Sequence, residues 1–138
     1  MSVAIPLAQA GESIRDAILE ELERLDEDFW GAIADAFFAV QEASPVDTHR
    51  FQASHTLSAG SPSGYVEPAG SSHPLRGQDH VDAVRAQFGD GDGEVWHDSN
   101  LPYSARLVYD GWSSQAPTPK WPHRIYEAAF DARFGGAA

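Results

Sequence analysis

The chain has 138 residues, 42% of them hydrophobic and 11% aromatic, enough for one domain with a modest core and too few for a second of ordinary size. It has no cysteine, which excludes a disulfide framework and a thiolate metal site. The net charge of −12 argues against ordinary nucleic-acid binding, which needs Lys and Arg on the phosphates.

Residues 1–10 are small and apolar and read as a flexible N-terminal arm. Ser13 followed by Asp16 resembles a capping-box start. From there Ile14, Ile18, Leu22, Leu25, Phe29, Ile33, Ala36 and Val40 recur at spacings of three or four, the signature of an amphipathic helix. Its apolar stripe is about 100° wide, and Asp16, Glu20, Glu23 and Glu27 fall opposite. The helix is expected to stop near Ser44, because Pro45 disfavours a helical residue before it. At 1.5 Å per residue it is about 45 Å long. Trp30 and Phe38 depart from the stripe, either because the second half of the helix is buried more widely or because they meet another chain. Residues 12–47 carry 11 acidic and 2 basic residues, so this helix holds most of the negative charge.

Pro45 to Gly60 reads as a turn and then a strand, with Phe51, Ala53, His55, Leu57 and Ala59 on one side under period two. Residues 61–77 form a long Gly/Pro/Ser-rich loop of the kind that is usually functional or disordered. Residues 78–88 predict a short helix with Val81, Val84 and Phe88 on one face. A Gly/Asp turn then leads into a strand around Glu94 to Asp98. Asn100 to Pro117 is an aromatic-rich loop or helical turn. Trp121, Ile125, Ala128 or Ala129, and Ala132 support a final helix ended by Gly135 and Gly136. With no alternating βαβ units and no internal repeat, the sum is one α+β domain over residues 1–138. A long N-terminal helix packs on a small antiparallel sheet, with a short middle helix and a C-terminal helix.

Chemistry is sparsely provided. The six histidines, His49, His55, His73, His80, His97 and His123, show no His-Glu-x-x-His spacing and no cysteine partner. Asp90, Asp92 and Glu94 faintly resemble a calcium loop but lack its further ligands, and a tight turn explains them. Ser54-His55 and His97-Asp98 are neighbours along strands, so their side chains point to opposite faces. No nucleophile elbow or phosphate-cradling loop appears. No catalytic residue, cofactor or metal site is therefore assigned, and no enzyme activity is expected. No apolar run is long enough to span a bilayer and no signal sequence is recognised, so no membrane partner is expected and a soluble, cytoplasmically assembled protein fits best.

Asn100, Pro102, Tyr103, Leu107 or Val108, Gly111, Ser113, Gln115, Ala116 and Pro117 together resemble a signature of tail-completion or neck proteins of long-tailed bacteriophages, the head-tail joining or minor tail proteins. A second motif near the end of the first helix is met by Pro45, Val46, Asp47, Thr48 and Arg50. The order of elements agrees over roughly residues 10–120. His49 stands where that family has Gly, and a left-handed backbone there carries a steric cost for His. After Pro117 the chain reads Thr118-Pro119-Lys120-Trp121-Pro122 and departs from the family's Gly and Met-Val-Arg continuation.

The resemblance implies a structural virion protein of the neck, assembled in a host cytoplasm. It would be a ring, hexamer or dodecamer, with other neck, connector and tail-tube proteins as partners and DNA passing through without specific binding. Asp47 and Thr48, with Pro45 and Gly111, would fix turns. Trp30, Phe38, Arg50, Tyr103, Tyr109, Trp112, Gln115 and Pro117 are the interface candidates, with Arg50 facing an acidic residue of a neighbour. Asp16, Glu20, Glu23 and Glu27 are the channel-facing candidates, on a wall that repels DNA. The rival readings are an acidic stand-alone binding module or DNA mimic and a small hydrolase with a histidine-held metal.

Overall fold

The computed structural model describes residues 7–46, 49–70, 73–88, 93–110 and 112–135, with the backbone alone for 7–11. The elements run α1 (Leu7–Ala43), α2 (Arg50–Ala53), β1 (Thr56–Ala59), α3 (Gln78–Phe88), β2 (Val95–Asp98), α4 (Ser104–Tyr109) and α5 (Trp121–Phe130). A π-helical turn over Asp131–Gly135 extends α5. This is an α+β domain with a long N-terminal helix, a two-stranded antiparallel sheet, a short middle helix and a C-terminal helix.

Helix α1 starts upstream of Ser13, which therefore lies inside the helix and does not cap it. Residues 7–10, expected in a flexible arm, are helical, because Leu, Ala and Gln propagate a helix readily. Residues 1–6 lie outside those described. The helix has two unlike halves. From Trp30 to Gln41 it is buried on several sides, with Phe37, Ala32, Ala36 and Val40 fully enclosed. From Glu12 to Glu27 every residue is exposed, including the aliphatic stripe of Ile14, Ile18, Leu22 and Leu25. The C-terminal end stops as Pro45 requires: the Ser44 hydroxyl donates to the Val40 carbonyl at 2.7 Å, closing the last turn with a side chain.

Two core clusters lie along the buried half. The first joins Trp30, Ile33, Ala34 and Phe37 of α1 to Leu57 of β1 and to Val81 and Val84 of α3. Phe29, Phe88 and Phe130 close its end, with the Trp30 and Phe88 rings edge to face at 5.5 Å. The second joins Val40, Phe51, Leu101, Leu107, Ala116 and Trp121. Trp121 anchors α5 there, its indole N–H donating to the Leu107 carbonyl at 2.9 Å. At the far end of α5 the Arg133 guanidinium lies across Gly31 and reaches Asp35 at 2.9 Å, a path that any Cβ on Gly31 would obstruct.

The strand expected from Phe51 onward is shorter. His49 is left-handed, with φ 71°, and leads directly into the helical turn α2, so pairing begins only at Thr56. Residues 56 to 59 then pair with 98 to 95, placing Leu57 opposite His97. The 61–77 loop has no regular structure in its described residues, yet it is tied down by polar contacts. The Ser63 amide donates to Asp98 at 2.8 Å, and Arg76 donates to the Ala53 carbonyl at 2.7 Å. The buried Glu67 carboxylate accepts from the Tyr65 hydroxyl at 2.6 Å and pairs with His73.

Candidate functional site

Both motifs singled out in the sequence converge on one place. The Gln115 amide reaches across to Val46, accepting from its N–H at 2.9 Å and donating to its carbonyl at 3.1 Å. A side chain thus acts as a strand partner to the corner after α1. The reciprocal pair fixes Gln115 in one orientation and welds two segments 69 residues apart. Ser113 and Ala116 bridge across the turn that presents it, and Ala116 is buried in the second core cluster.

Between the welded segments lies a groove of about 800 Å³. Pro45, Val46 and Arg50 form one wall, and Tyr103, Leu107 and Trp112 the other. Trp112 is 60% exposed, a large cost for the biggest apolar side chain on a lone chain. Arg106 lies over its indole face at 5.7 Å. None of the described residues lining the groove is acidic.

The interface candidates separate into three groups. Arg50, Tyr103, Trp112 and Gln115 share this groove. Tyr109 is 51% exposed but lines a different hollow of about 860 Å³ between β2, α4 and α5, and Pro117 is exposed beyond Ala116. Trp30 is only 3% exposed and belongs to the core, and Phe38 is half-buried against Phe37, so the wider-burial explanation holds for Trp30. Within the chain the Arg50 Nε donates to the Glu67 carbonyl at 2.9 Å, which ties the groove wall to the loop. Pro45 is buried at the corner, while Asp47, Thr48 and Gly111 lie outside the described residues. Asp16, Glu20, Glu23 and Glu27 are all exposed on the first half of α1.

The second hollow has a feature that the sequence did not reveal. Four side chains form a hydrogen-bonded relay: Ser44 Oγ to His55 Nε2 at 2.8 Å, His55 Nδ1 to His97 Nε2 at 2.9 Å, and His97 Nδ1 to the Tyr126 hydroxyl at 2.5 Å. Because Ser44 gives its only proton to Val40, it must accept from His55. Every other bond then follows: His97 donates to His55, and Tyr126 donates to His97. Both histidines are neutral in this chain. Burial holds His55 well below the usual imidazole range, reinforced by His97 and Arg76. Burial also lowers His97 to about 4, against an opposing pull from Asp98. Burial raises the Tyr126 hydroxyl, keeping it a donor. His80, lowered by burial and then by Arg76, is neutral too and accepts from the Leu57 amide at 2.9 Å.

The relay suits cohesion better than catalysis. A serine activated by histidine must donate its proton to the ring, and Ser44 does the reverse while buried beneath His55. The relay ties the end of α1 to the approach to β1, to β2 and to α5. Only the Leu57–His97 register hints at it in sequence, and that register needs the fold to be known. Among the described residues no group of three or more His, Cys, Asp or Glu is placed to hold a metal ion, and no helix is long and apolar enough to cross a membrane. Compared with protein-family models, curated proteins and solved structures, the chain matches none.

Proposed function

We propose that this protein is a structural subunit of the head-tail neck of a long-tailed phage or phage-derived particle, acting in a ring that completes or joins the tail. One observation carries the reading. The two segments whose residues resemble the neck family, far apart in the chain, are joined through Gln115 and Val46 and together build a single aromatic groove. Motifs that only maintained a core would have no need to expose Trp112 beside Arg106. The groove is a contact surface for neighbouring neck or tail components, with Tyr103 and Trp112 as rigid anchors that lose few rotamers on docking. Complementarity of shape, with no bond made or broken, is the mechanism of assembly.

The test is electron microscopy of lysates from a producer lacking the gene. Separate DNA-filled heads and finished tails are the expected result. Complete, tail-bearing particles would defeat the reading and bring forward the acidic binding module, which needs the charge of α1 but not the groove.

A further inference from the structure

The first half of α1 leaves Ile14, Ile18, Leu19, Leu22 and Leu25 between 41% and 61% exposed. Four of them, all but Leu19, form a continuous stripe, and an apolar patch of that kind on a soluble chain marks a contact surface. Around the stripe, residues 12–28 carry eight acidic residues and two arginines. Arg85 of α3 braces Asp26 and Glu27 where the helix leaves the body. Glu12, Asp16, Glu20 and Glu23 make no ion pair among the described residues. Whatever covers this arm must therefore be apolar in the middle and cationic at its edges.

Two of the hollows among the described residues are candidate seats. The hollow between β2, α4 and α5 includes Asp98 and Glu127 in its lining and would repel the arm. The groove beside Trp112 has no acidic residue among its described lining, has Arg50 in one wall and has Arg106 at its rim. The arm cannot reach its own groove, because the two lie toward opposite ends of one helix. Leu25 and Pro45 alone are about 30 Å apart along the axis at 1.5 Å per residue. Two arms laid side by side would bring like charges together. We propose that the arm of one copy docks in the aromatic groove of a second copy, head to tail. Arm and groove are different surfaces, so each copy offers one of each. Repetition yields a ring if the rotation closes and a filament if it does not. The proposal rests on the neck reading in taking a second copy as the occupant, and it deepens that reading by naming the contact.

The experiment is light scattering on the purified full-length chain, with an arm variant (Ile18→Glu with Leu22→Glu) and a groove variant (Trp112→Glu). These residues are exposed, so the variants should keep their helical circular-dichroism spectra and a cooperative melt, which serve as the folding control. The wild type is expected to be oligomeric and each variant monomeric. An equimolar mixture of the two variants retains one good arm and one good groove, and it should form a heterodimer and nothing larger. A monomeric wild type overturns the proposal. So does a mixture that stays monomeric, which would mean that a sound arm and a sound groove do not bind each other, and so does a variant that self-associates alone, which would mean arm-to-arm or groove-to-groove pairing. An arm variant that keeps the wild-type mass also overturns it, while leaving the neck reading intact. That reading stands or falls separately on whether heads and tails join without the gene.

Discussion

Acid should weaken this fold in a window set by His97. Its folded-state value is about 4, against the ordinary 6.5 that applies once the chain is unfolded. As pH falls below 6.5 the unfolded chain takes up a proton that the native relay refuses, so stability is full above that pH and is lost down to about 4. The gap of 2.5 units, at 1.36 kcal/mol each, gives about 3 kcal/mol, an upper value because the residue keeps some contact with solvent. His55 shifts in the same direction and adds to the loss. Against a total of roughly 5–15 kcal/mol for a domain, this is a large fraction. Urea unfolding followed by tryptophan fluorescence from pH 7.5 to 4 measures it. His97→Gln is the comparison, since an amide preserves one donor and one acceptor but does not titrate. The variant starts less stable and loses less on acidification. Parallel pH profiles for the two proteins would refute the assignment of a neutral, buried His97.

Other residues give independent checks. Tyr126→Phe removes the terminal donor of the relay and should cost about 1 kcal/mol, read as a lower urea midpoint with an unchanged slope. His49→Gly relieves a left-handed residue with φ 71° and should stabilise the chain by about 1 kcal/mol, raising the melting temperature; a lower value would mean that the His49 side chain contributes more than its backbone strain costs. Gln115→Ala severs both bonds to Val46 and should cost about 1 kcal/mol in the same unfolding assay, and it should also loosen the groove, seen as a shift in Trp112 emission.

The parts of the fold that the sequence made legible are those where local pattern and burial agree. Residues 78 to 88 read as a helix because Val81 and Val84 recur at helical spacing and are in fact its buried face. The stop at Ala43 follows from Pro45 alone. The stripe from Ile14 to Leu25 has equally good periodicity, yet periodicity reports only that a helix has an apolar face and not which molecule covers it. The strand expected from Phe51 gave way to α2 because His49 turns the chain with a left-handed backbone that composition does not announce. The groove was half visible: Arg50, Tyr103 and Gln115 were named from two motifs and Trp112 as an aromatic contact, but the union of the two segments through one glutamine amide is a long-range contact with no local signature. The relay was invisible for the same reason, since its members come from the end of α1, the approach to β1, β2 and α5.

The two halves of α1 also differ in how they come apart. An isolated helix as short as the arm is marginal in water because its first turn is costly to nucleate. This arm grows from a packed half that already supplies the nucleus, so it extends one hydrogen bond at a time and frays from its N-terminal side without disturbing Phe37 or Val40. Amide hydrogen exchange along this one helix should therefore form a staircase, fast through Leu22 and slow beyond Trp30, with the riser near Phe29 where the aromatic rings begin. Docking of the arm would flatten that staircase residue by residue, making the helix its own gauge of assembly.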